Sequence, residues 1–290
     1  MPTVLYLYFH TFHSLIEQQC QGLQSQPVVV AKQHRIIDVS TEAAQIGVRK
    51  GESVGRAKLT CPQLVVVNAR RDYATYSEAV WDICTSYTPV IEPVAEDAAF
   101  LDLTGCGEPV KIAQELIEQI QYKTHLPAAA SIGPSKLIAK TAALLPAQSK
   151  QLAGYKKAKN LIFVPADSAA SFLRPIPVKY LWGLPPTVVE KLTSLGCQTL
   201  GDLAKVPLLQ LQIKFGREAK RLANLAVGID QDPVQPNYPE RCFVDGYTCP
   251  PEVGYLEQAL EIHTILSKSA EKLFQKLLDS DKACTKITLQ

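Results

Sequence analysis

The chain has 290 residues, of which 47% are hydrophobic and 20% are charged. This composition excludes a disordered or collagen-like chain, because the apolar content is sufficient for packed cores. The absence of a long apolar run and of a basic, cleavable leader predicts a cytoplasmic protein without a membrane contact. The length predicts more than one core. The net charge of only +2 does not by itself indicate a nucleic-acid-binding protein.

Eight cysteines are scattered along the chain, and no two of them form a C-x-x-C pair. Zinc sites usually draw their ligands from such pairs, and disulfide scaffolds are usually short secreted chains. We therefore expect buried, reduced thiols.

The first half of the chain alternates short apolar runs with helical segments. The predicted strands are residues 4–9, 26–31, 64–67, 90–103 and 126–132. One predicted helix follows the first strand and ends near Gln21. Four others cover residues 40–46, 70–87, 110–121 and 136–145. This alternation favours an α/β or α+β fold over an all-α or all-β fold.

The turn Gly133-Pro134-Ser135 joins a predicted strand to a predicted helix. Free N–H groups at a helix N-terminus bind anions, so this turn is a candidate anion site. Ser135 is also a good N-cap residue, and a purely structural turn explains the same residues equally well. The sequence leaves both interpretations open.

A basic helical segment follows a cluster of prolines at positions 165, 175 and 177, which indicates a domain boundary. Residues 178–228 are predicted to be almost wholly helical, and the segment around Gly183 has the outline of a helix-hairpin-helix. Such hairpins present backbone amides to DNA phosphates. From Arg174 to Arg221 there are eight basic and three acidic residues, a net charge of +5. This excess is typical of a DNA-binding surface, although a solvated helix face produces it too.

The last part of the chain follows a polar, Pro-rich linker at residues 231–240. A strand at 241–248, a long helix at 254–278 and a second strand at 285–290 are predicted after it. The second strand still alternates apolar with polar residues at the last position, which predicts an incomplete domain.

Seven collinear segments resemble the Y-family translesion DNA polymerases, the group that includes DinB and UmuC. They are Phe12 with Glu17, 26–31 (QPVVVA), 47–51 (GVRKG), 61–67 (CPQLVVV), 89–105 (PVIEPVAEDAAFLDLTG), 130–143 (ASIGPSKLIAKTAA) and 181–204 (LWGLPPTVVEKLTSLGCQTLGDLA). The resemblance implies an α+β fold with the right-hand architecture of that family. A ferredoxin-like palm (1–18 and 77–165), small fingers (19–76), a helix-hairpin-helix thumb (166–236) and an incomplete little finger (237–290) are expected.

The resemblance also implies a metal site, since palm carboxylates of the family hold two Mg²⁺ ions. The family's acidic positions correspond here to Tyr8, His10, Asp97 and Ala98, so only Asp97 is retained. Asp97 is therefore the one candidate metal ligand among them. On a continuous strand the neighbouring Glu96 is expected to face away from it.

Two histidines near this position leave an alternative open. One interpretation is a softer ion that bridges His10, His13 and Asp97. The other is a histidine that fills the space of a lost aspartate, and we favour it because imidazole is a poor ligand for Mg²⁺.

The nucleotide-binding positions of the family have changed as well. Thr41 and Ala44 stand here at the positions of a tyrosine and an arginine that hold the incoming triphosphate in the family. Neither threonine nor alanine can make the charged, bidentate contact of the arginine guanidinium. Lys140 matches a palm lysine that reaches the triphosphate, and Lys136 lies one helical turn before it. Together they form at most a weak anion site, and exposed helix lysines are the expected alternative.

The thumb hairpin of the family, Gly-x-Gly-Pro, is replaced here by Gly183-Leu184-Pro185-Pro186. Proline lacks an N–H group, so position 185 loses one phosphate donor. The other candidate DNA-binding residues are a glycine, a hydroxyl and five cations. They are Gly183, Thr187, Lys191, Lys214, Arg217, Lys220 and Arg221.

The loss of the family's residues at both the metal site and the nucleotide site predicts a polymerase fold without polymerase activity. The resemblance implies an ImuB-like, catalytically degraded scaffold, associated with the nucleoid, that requires no cofactor and binds damaged or primer-template DNA. It also implies recruitment of a replicative-type polymerase and the sliding clamp. Two alternatives stay open: an active Y-family polymerase with relaxed Mg²⁺ ligation, and a stand-alone DNA-binding module. Residues 210–215 faintly resemble a clamp-binding peptide but are also expected to form a regular thumb helix.

Overall fold

The computed structural model describes residues 2–69, 73–145, 156–158, 160–236 and 255–279. Its strands are β1 (Val4–Tyr8), β2 (Val28–Lys32), β3 (Arg35–Val39), β4 (Val65–Asn68), β5 (Ile91–Ala95), β6 (Ala98–Asp102), β7 (Ala129–Gly133), β8 (Lys156–Ala158) and β9 (Leu161–Phe163). Its α-helices are α1 (Phe12–Gln21), α2 (Thr41–Ile46), α3 (Val54–Thr60), α4 (Tyr73–Thr85), α5 (Pro109–Thr124), α6 (Lys136–Leu144), α7 (Ala169–Leu173), α8 (Pro186–Ser194), α9 (Leu200–Leu203), α10 (Leu208–Phe215), α11 (Ala219–Ala226) and α12 (Tyr255–Asp279). The expected α+β class is confirmed, and the chain divides into two compact units, Met1–Asn237 and Tyr238–Gln290.

A sheet in the order β5-β6-β1-β7-β9-β8 forms the centre of the first unit. β1 pairs antiparallel with both β6 and β7. Because side chains alternate across a strand, β1 supplies both faces of the sheet. Leu5 and Leu7 belong to the largest core, together with Leu116 of α5. Tyr6 lies on the opposite face with Phe100, and this face carries the candidate site.

The prediction of one continuous strand at residues 90–103 is wrong. β5 and β6 form an antiparallel hairpin, and Glu96 and Asp97 form its turn. The turn lies at the end of β1, because the N–H group of Phe9 donates to the carbonyl of Asp97 at 3.0 Å. Strand alternation therefore does not decide which way Glu96 and Asp97 point. This turn contains none of the glycine, proline or asparagine residues that usually indicate a hairpin.

A smaller sheet in the order β3-β2-β4 forms next to α2 and α3. The sequence did not indicate β3, because the turn before it consists of Gln33 and His34, which both have left-handed φ angles of 49° and 64° without being glycine or asparagine. The capped helix predicted at residues 40–46 is confirmed. The Ser40 hydroxyl accepts from the N–H of Ala43, and α2 ends at the left-handed Gly47.

Helices α7 to α11 surround a second core that includes Phe172, Leu192 and Leu200. The prediction of an almost wholly helical segment at residues 178–228 is thereby confirmed. Thr199 and Asp202 form a reciprocal capping box at α9, which stabilises the start of this short helix.

In the second unit the structure describes α12, which confirms the helix predicted at residues 254–278. The strands predicted at 241–248 and 285–290 lie outside the described residues. Neither α12 nor any other helix in the described ranges combines the length and apolarity that a membrane crossing requires.

The five described cysteines are all free thiols. Cys61, Cys84 and Cys197 are buried as expected. The expected burial is wrong for Cys20 and Cys106, which are exposed.

Gly133, the last residue of β7, is expected to tolerate no side chain. A Cβ atom there would lie 2.7 Å from Cγ2 of Ile138 and 3.0 Å from the backbone N of Ala139. We predict that Gly133→Ala lowers the free energy of unfolding by about 1–3 kcal/mol, measured by urea denaturation. Gly55→Ala in α3 is the matched control, because nothing lies within 4 Å of a Cβ there. A Gly133→Ala variant as stable as the wild type would contradict this packing.

Candidate functional site

The positions that correspond to the family's carboxylates lie together at the end of β1. Tyr8 is directly opposite Ala98 in the β1–β6 ladder, and Asp97 precedes Ala98 in the hairpin turn. His10 is exposed, and its ring meets the Tyr8 ring edge-on at 5.0 Å. The fold thus brings these four positions together, but they supply only one carboxylate.

This set of side chains does not fit a pair of Mg²⁺ ions, which prefer several oxygen ligands including carboxylates. Burial raises the pKa of Tyr8 above its ordinary value, so its phenol stays protonated, and Ala98 has no ligand atom. Within the described part of the chain, no three His, Cys, Asp or Glu side chains are placed to share a metal ion. The softer ion considered for His10, His13 and Asp97 is therefore not supported.

His13 instead connects the two sheets of the first unit. Its Nε2 lies 2.8 Å from Oε2 of Glu96 in the β5–β6 turn, and its Nδ1 lies 3.9 Å from Oδ2 of Asp38 on β3. Asp38 is fully buried, accepts from the N–H and hydroxyl of Ser14, and forms an ion pair with Lys50 at 2.6 Å. These contacts indicate a structural role for His13 rather than a metal-binding one.

Aromatic side chains occupy the face of the sheet beside Asp97. The Tyr6 ring stacks on Tyr8 at 5.6 Å and lies 4.8 Å from Phe100, which in turn lies 5.5 Å from Trp182. Nζ of Lys140 lies 4.7 Å from the centre of the Trp182 ring and 5.1 Å from that of Tyr6. A cation held against ring faces is attracted by their quadrupoles. We call these four rings and Lys140 the palm aromatic cluster.

Burial dominates the electrostatics of the palm aromatic cluster. It raises the pKa of Tyr6 to about 12, with the charges of Asp97 and Tyr8 acting in the same direction. It lowers the pKa of Lys140, an effect that Asp97 opposes and Lys136 reinforces. Near neutral pH Tyr6 is therefore an uncharged phenol. The cluster is a largely apolar surface with one cation, in place of the anionic surface that two divalent ions require.

The interpretation of Lys136 and Lys140 as exposed helix lysines is wrong. Lys136 is 7% exposed, and its Nζ donates to both carboxylate oxygens of Glu92 at 2.9 Å and to the carbonyl of Pro233 at 3.3 Å. The N–H of Gln235 donates to the same carboxylate at 2.8 Å. Lys136 therefore holds the segment after α11 against the sheet. Lys140 is half-buried within the palm aromatic cluster.

The candidate anion site at Gly133-Pro134-Ser135 is filled by the chain itself. The Ser135 hydroxyl accepts from the N–H of Ile138 at 3.4 Å. The N–H of Leu137 donates to Oδ2 of Asp230 at 3.0 Å. A carboxylate from the segment after α11 thus satisfies the N-terminus of α6, as the helix dipole favours. The structural interpretation of this turn is the one that the contacts support.

The seven predicted DNA-binding residues lie on α8, α10 and α11 or on the turns before these helices. All of them are exposed: Gly183, Thr187, Lys191, Lys214, Arg217, Lys220 and Arg221. Gly183 has a left-handed φ of 82°, and a Cβ atom there would lie 3.4 Å from Nη2 of Arg221. Gly183, Lys220 and Arg221 line one cavity. The other four residues do not line it.

Tyr6, Phe100 and Trp182 belong to the site but were not predicted from the sequence. The alternating aromatic residues at positions 6 and 8 were a usable signal, because i and i+2 share one face of a strand. The contact between Phe100 and Trp182 joins residues far apart in the chain, and no local pattern indicates it.

Restoring two carboxylates tests whether the missing carboxylates limit metal binding at this site. Because Tyr8 and Ala98 are ladder partners, Tyr8→Asp with Ala98→Glu places two new carboxylates beside Asp97. We predict that this double variant binds Mn²⁺ at least about tenfold more tightly than the wild type, measured by electron paramagnetic resonance. Adding Asp97→Asn should remove the gain. Tight wild-type binding that is lost in Asp97→Asn alone would contradict the prediction.

Comparison with known proteins agrees with this fold. The model of the impB/mucB/samB family matches residues 7–143. A protein of Desulfatibacillum aliphaticivorans named DNA polymerase IV is 33% identical over 248 residues, which cover 83% of this chain and 60% of that protein. A DNA polymerase IV of Neisseria meningitidis serogroup C is 30% identical over 296 residues, covering 99% of this chain and 80% of that one.

Solved structures share the architecture at lower sequence identity. A structure described as the Dbh ternary complex has a TM-score of 0.69 at 22% identity and covers 80% of this chain and 68% of that chain. DinB from Sulfolobus solfataricus has a TM-score of 0.66 at 21% identity, with coverage of 81% and 69%. The chain spans 57–60% of the length of three of its curated relatives named DNA polymerase IV, one of them from Moorella thermoacetica.

Proposed function

The chain belongs to the Y family of DinB- and UmuC-type DNA polymerases, and from this premise we propose that it binds DNA during translesion repair without itself transferring nucleotides. One observation carries the proposal: Tyr8 and Ala98 flank Asp97 where two-metal catalysis needs carboxylates. An ImuB-like scaffold that requires no metal is the activity most compatible with these side chains.

The nucleotide-binding positions support the same proposal. Thr41 and Ala44 lie on the exposed side of α2 and carry no positive charge. Lys140 is the one retained cation among these positions, and its Nζ lies against the rings of Tyr6 and Trp182. A triphosphate needs several cations or metal ions to offset its charge, and these three positions supply one.

The exposed cations of the helical region support DNA binding. Lys191, Lys214, Arg217, Lys220 and Arg221 lie at the surface on or beside three helices. Contacts from such side chains to phosphates give affinity without reading the base sequence. We therefore propose the DNA backbone as the main ligand of this surface.

A scaffold in translesion synthesis also needs a partner that performs the chemistry. We propose a replicative-type polymerase as that partner, with the sliding clamp as a second. Residues 210–215 belong to α10, and Leu211 is fully buried. This segment forms a helix that packs against the second core, which disfavours its use as an extended clamp-binding peptide.

The second candidate function is an active polymerase, because the relatives are named DNA polymerase IV. A primer-extension assay with Mg²⁺ or Mn²⁺ distinguishes an active polymerase from the proposed non-catalytic DNA-binding protein. We predict no template-dependent incorporation by the wild type, because one carboxylate does not hold two metal ions. The Asp97→Ala variant controls for a contaminating polymerase, whose signal would persist in it. Incorporation by the wild type that disappears in Asp97→Ala would establish an active enzyme.

Charge reversal tests the DNA-binding surface. We predict that Lys214→Glu, Arg217→Glu and Arg221→Glu together abolish DNA binding at moderate salt. The wild type should lose affinity steeply with salt, since each phosphate contact contributes roughly 0.9 to the slope of log affinity against log salt concentration. Fluorescence anisotropy at several salt concentrations measures both.

The matched control reverses three exposed lysines outside the helical region, Lys32, Lys58 and Lys123, and so makes the same change in net charge. It should retain most of the affinity. Equal effects of the two triple variants would mean that net charge, rather than this surface, determines binding.

A further inference from the structure

A cavity of about 390 Å³ lies where α6, α11 and the segment after α11 meet. Its lining combines an aromatic ring, two cations, amides and carboxylates. The lining residues that matter here are Trp182, Lys220, Arg221, Asn224, Asp230 and Asp232. None of the positions that correspond to the family's metal or triphosphate ligands belongs to this set.

The aromatic member of the lining is Trp182. Two residues outside the lining hold this ring: it packs on Phe100 at 5.5 Å and on Nζ of Lys140 at 4.7 Å. Trp182 nevertheless remains half-buried rather than fully enclosed. A ring fixed by its neighbours loses little rotational freedom when a ligand stacks on it, so it is pre-organised for a flat partner.

The cations of the lining lie next to the hairpin that contains Gly183. Lys220 and Arg221 are both exposed, and the Arg221 guanidinium lies close to the Gly183 backbone. Glu218 forms an exposed ion pair with Arg221 at 3.4 Å, which water screens strongly. These two cations suit a phosphate group at the rim of the cavity.

The polar groups opposite the cations suit the edge of a base. Asp230 is already satisfied, because it accepts from the N–H groups of Leu137 and Asp232. Asn224 and Asp232 remain as an amide and a carboxylate in the lining. Such groups pair with the amino and ring N–H groups of nucleobases.

We propose that this cavity binds one unpaired nucleotide, with its base stacked on Trp182 and its phosphate held by Lys220 and Arg221. The inference rests on the proposed DNA-binding function and assigns the nucleotide to a DNA strand. Stacking of a base on an aromatic side chain tolerates any sequence. An unpaired nucleotide also costs less to turn out of a duplex than a paired one. The site therefore selects DNA that contains an unpaired base.

The first experiment uses the intrinsic fluorescence of Trp182. The chain contains two tryptophans, and Trp81 is 7% exposed in the largest core. In a Trp81→Phe background, a duplex with one bulged adenine should quench the emission of Trp182. The same duplex with an abasic bulge should quench it much less. Equal quenching by both duplexes would overturn the stacking proposal.

The second experiment measures affinity for the same two duplexes by anisotropy. The wild type should prefer the bulged adenine over the abasic bulge by about tenfold, given the usual contribution of one stacked base. Trp182→Leu should lose this preference, and Trp182→Phe should keep most of it, which controls for a packing defect. If Trp182→Leu does not fold, Asn224→Ala replaces it and should reduce the preference.

The outcomes separate this inference from the proposed function. Binding of both duplexes with equal affinity would overturn the nucleotide site and leave DNA binding intact. Binding of neither duplex would overturn both. Titration with free deoxyadenosine monophosphate distinguishes the source of the nucleotide. Quenching by the mononucleotide at micromolar concentration, without a difference between the duplexes, would assign the cavity to free nucleotides instead.

Discussion

The packing of Trp182 against Phe100 and Lys140 connects the sheet of the first unit to its helical region. On the sheet side this contact depends on β1, whose even-numbered side chains face away from the main core and place Tyr6 and Tyr8 beside Phe100. On the helical side, Trp182 lies next to the left-handed Gly183. Rings and a cation thus occupy the region beside the one remaining carboxylate, and their burial disfavours the negative charge that divalent metals require.

Further contacts hold the same two parts together. The ion pair of buried Lys136 with partly buried Glu92 binds the segment after α11 through Pro233 and Gln235. Asp230 from that segment binds the N-terminus of α6. Breaking a buried ion pair is costly because it leaves an unpaired charge in a dry environment. These contacts fix the helical region relative to the sheet and so shape the cavity that Trp182 lines.

Much of the fold was predictable from the sequence because its signals are local. Ser40 and Gly47 delimit α2, as the capping rules require. The collinear motifs predicted the family, and with it the clustering of positions 8, 97 and 98. That clustering follows from strand pairing, which a family resemblance conveys and single-sequence periodicity does not.

The rest of the site depends on contacts between distant residues. The turn at Glu96 and Asp97 lacks the glycine or asparagine of a typical two-residue hairpin, so a continuous strand was predicted, and this prediction is wrong. The burial and ion pair of Lys136 were not predictable either, because its partner Glu92 lies 44 positions away in the chain. The sequence around Trp182 did not indicate its contact with the sheet, because a tryptophan beside a helical hairpin is usually expected to pack into the core of its own helices.

The central claim is that this polymerase fold binds DNA without assembling a catalytic complex. The most direct measurement is the affinity for a primer-template with a dideoxy-terminated primer, with and without Mg²⁺ and the next complementary deoxynucleoside triphosphate. We predict the same affinity in both conditions, because Asp97 alone does not supply the carboxylates that a metal pair between the protein and the triphosphate needs. A large gain in affinity that requires both Mg²⁺ and the correct nucleotide, and that Asp97→Asn removes, would contradict it.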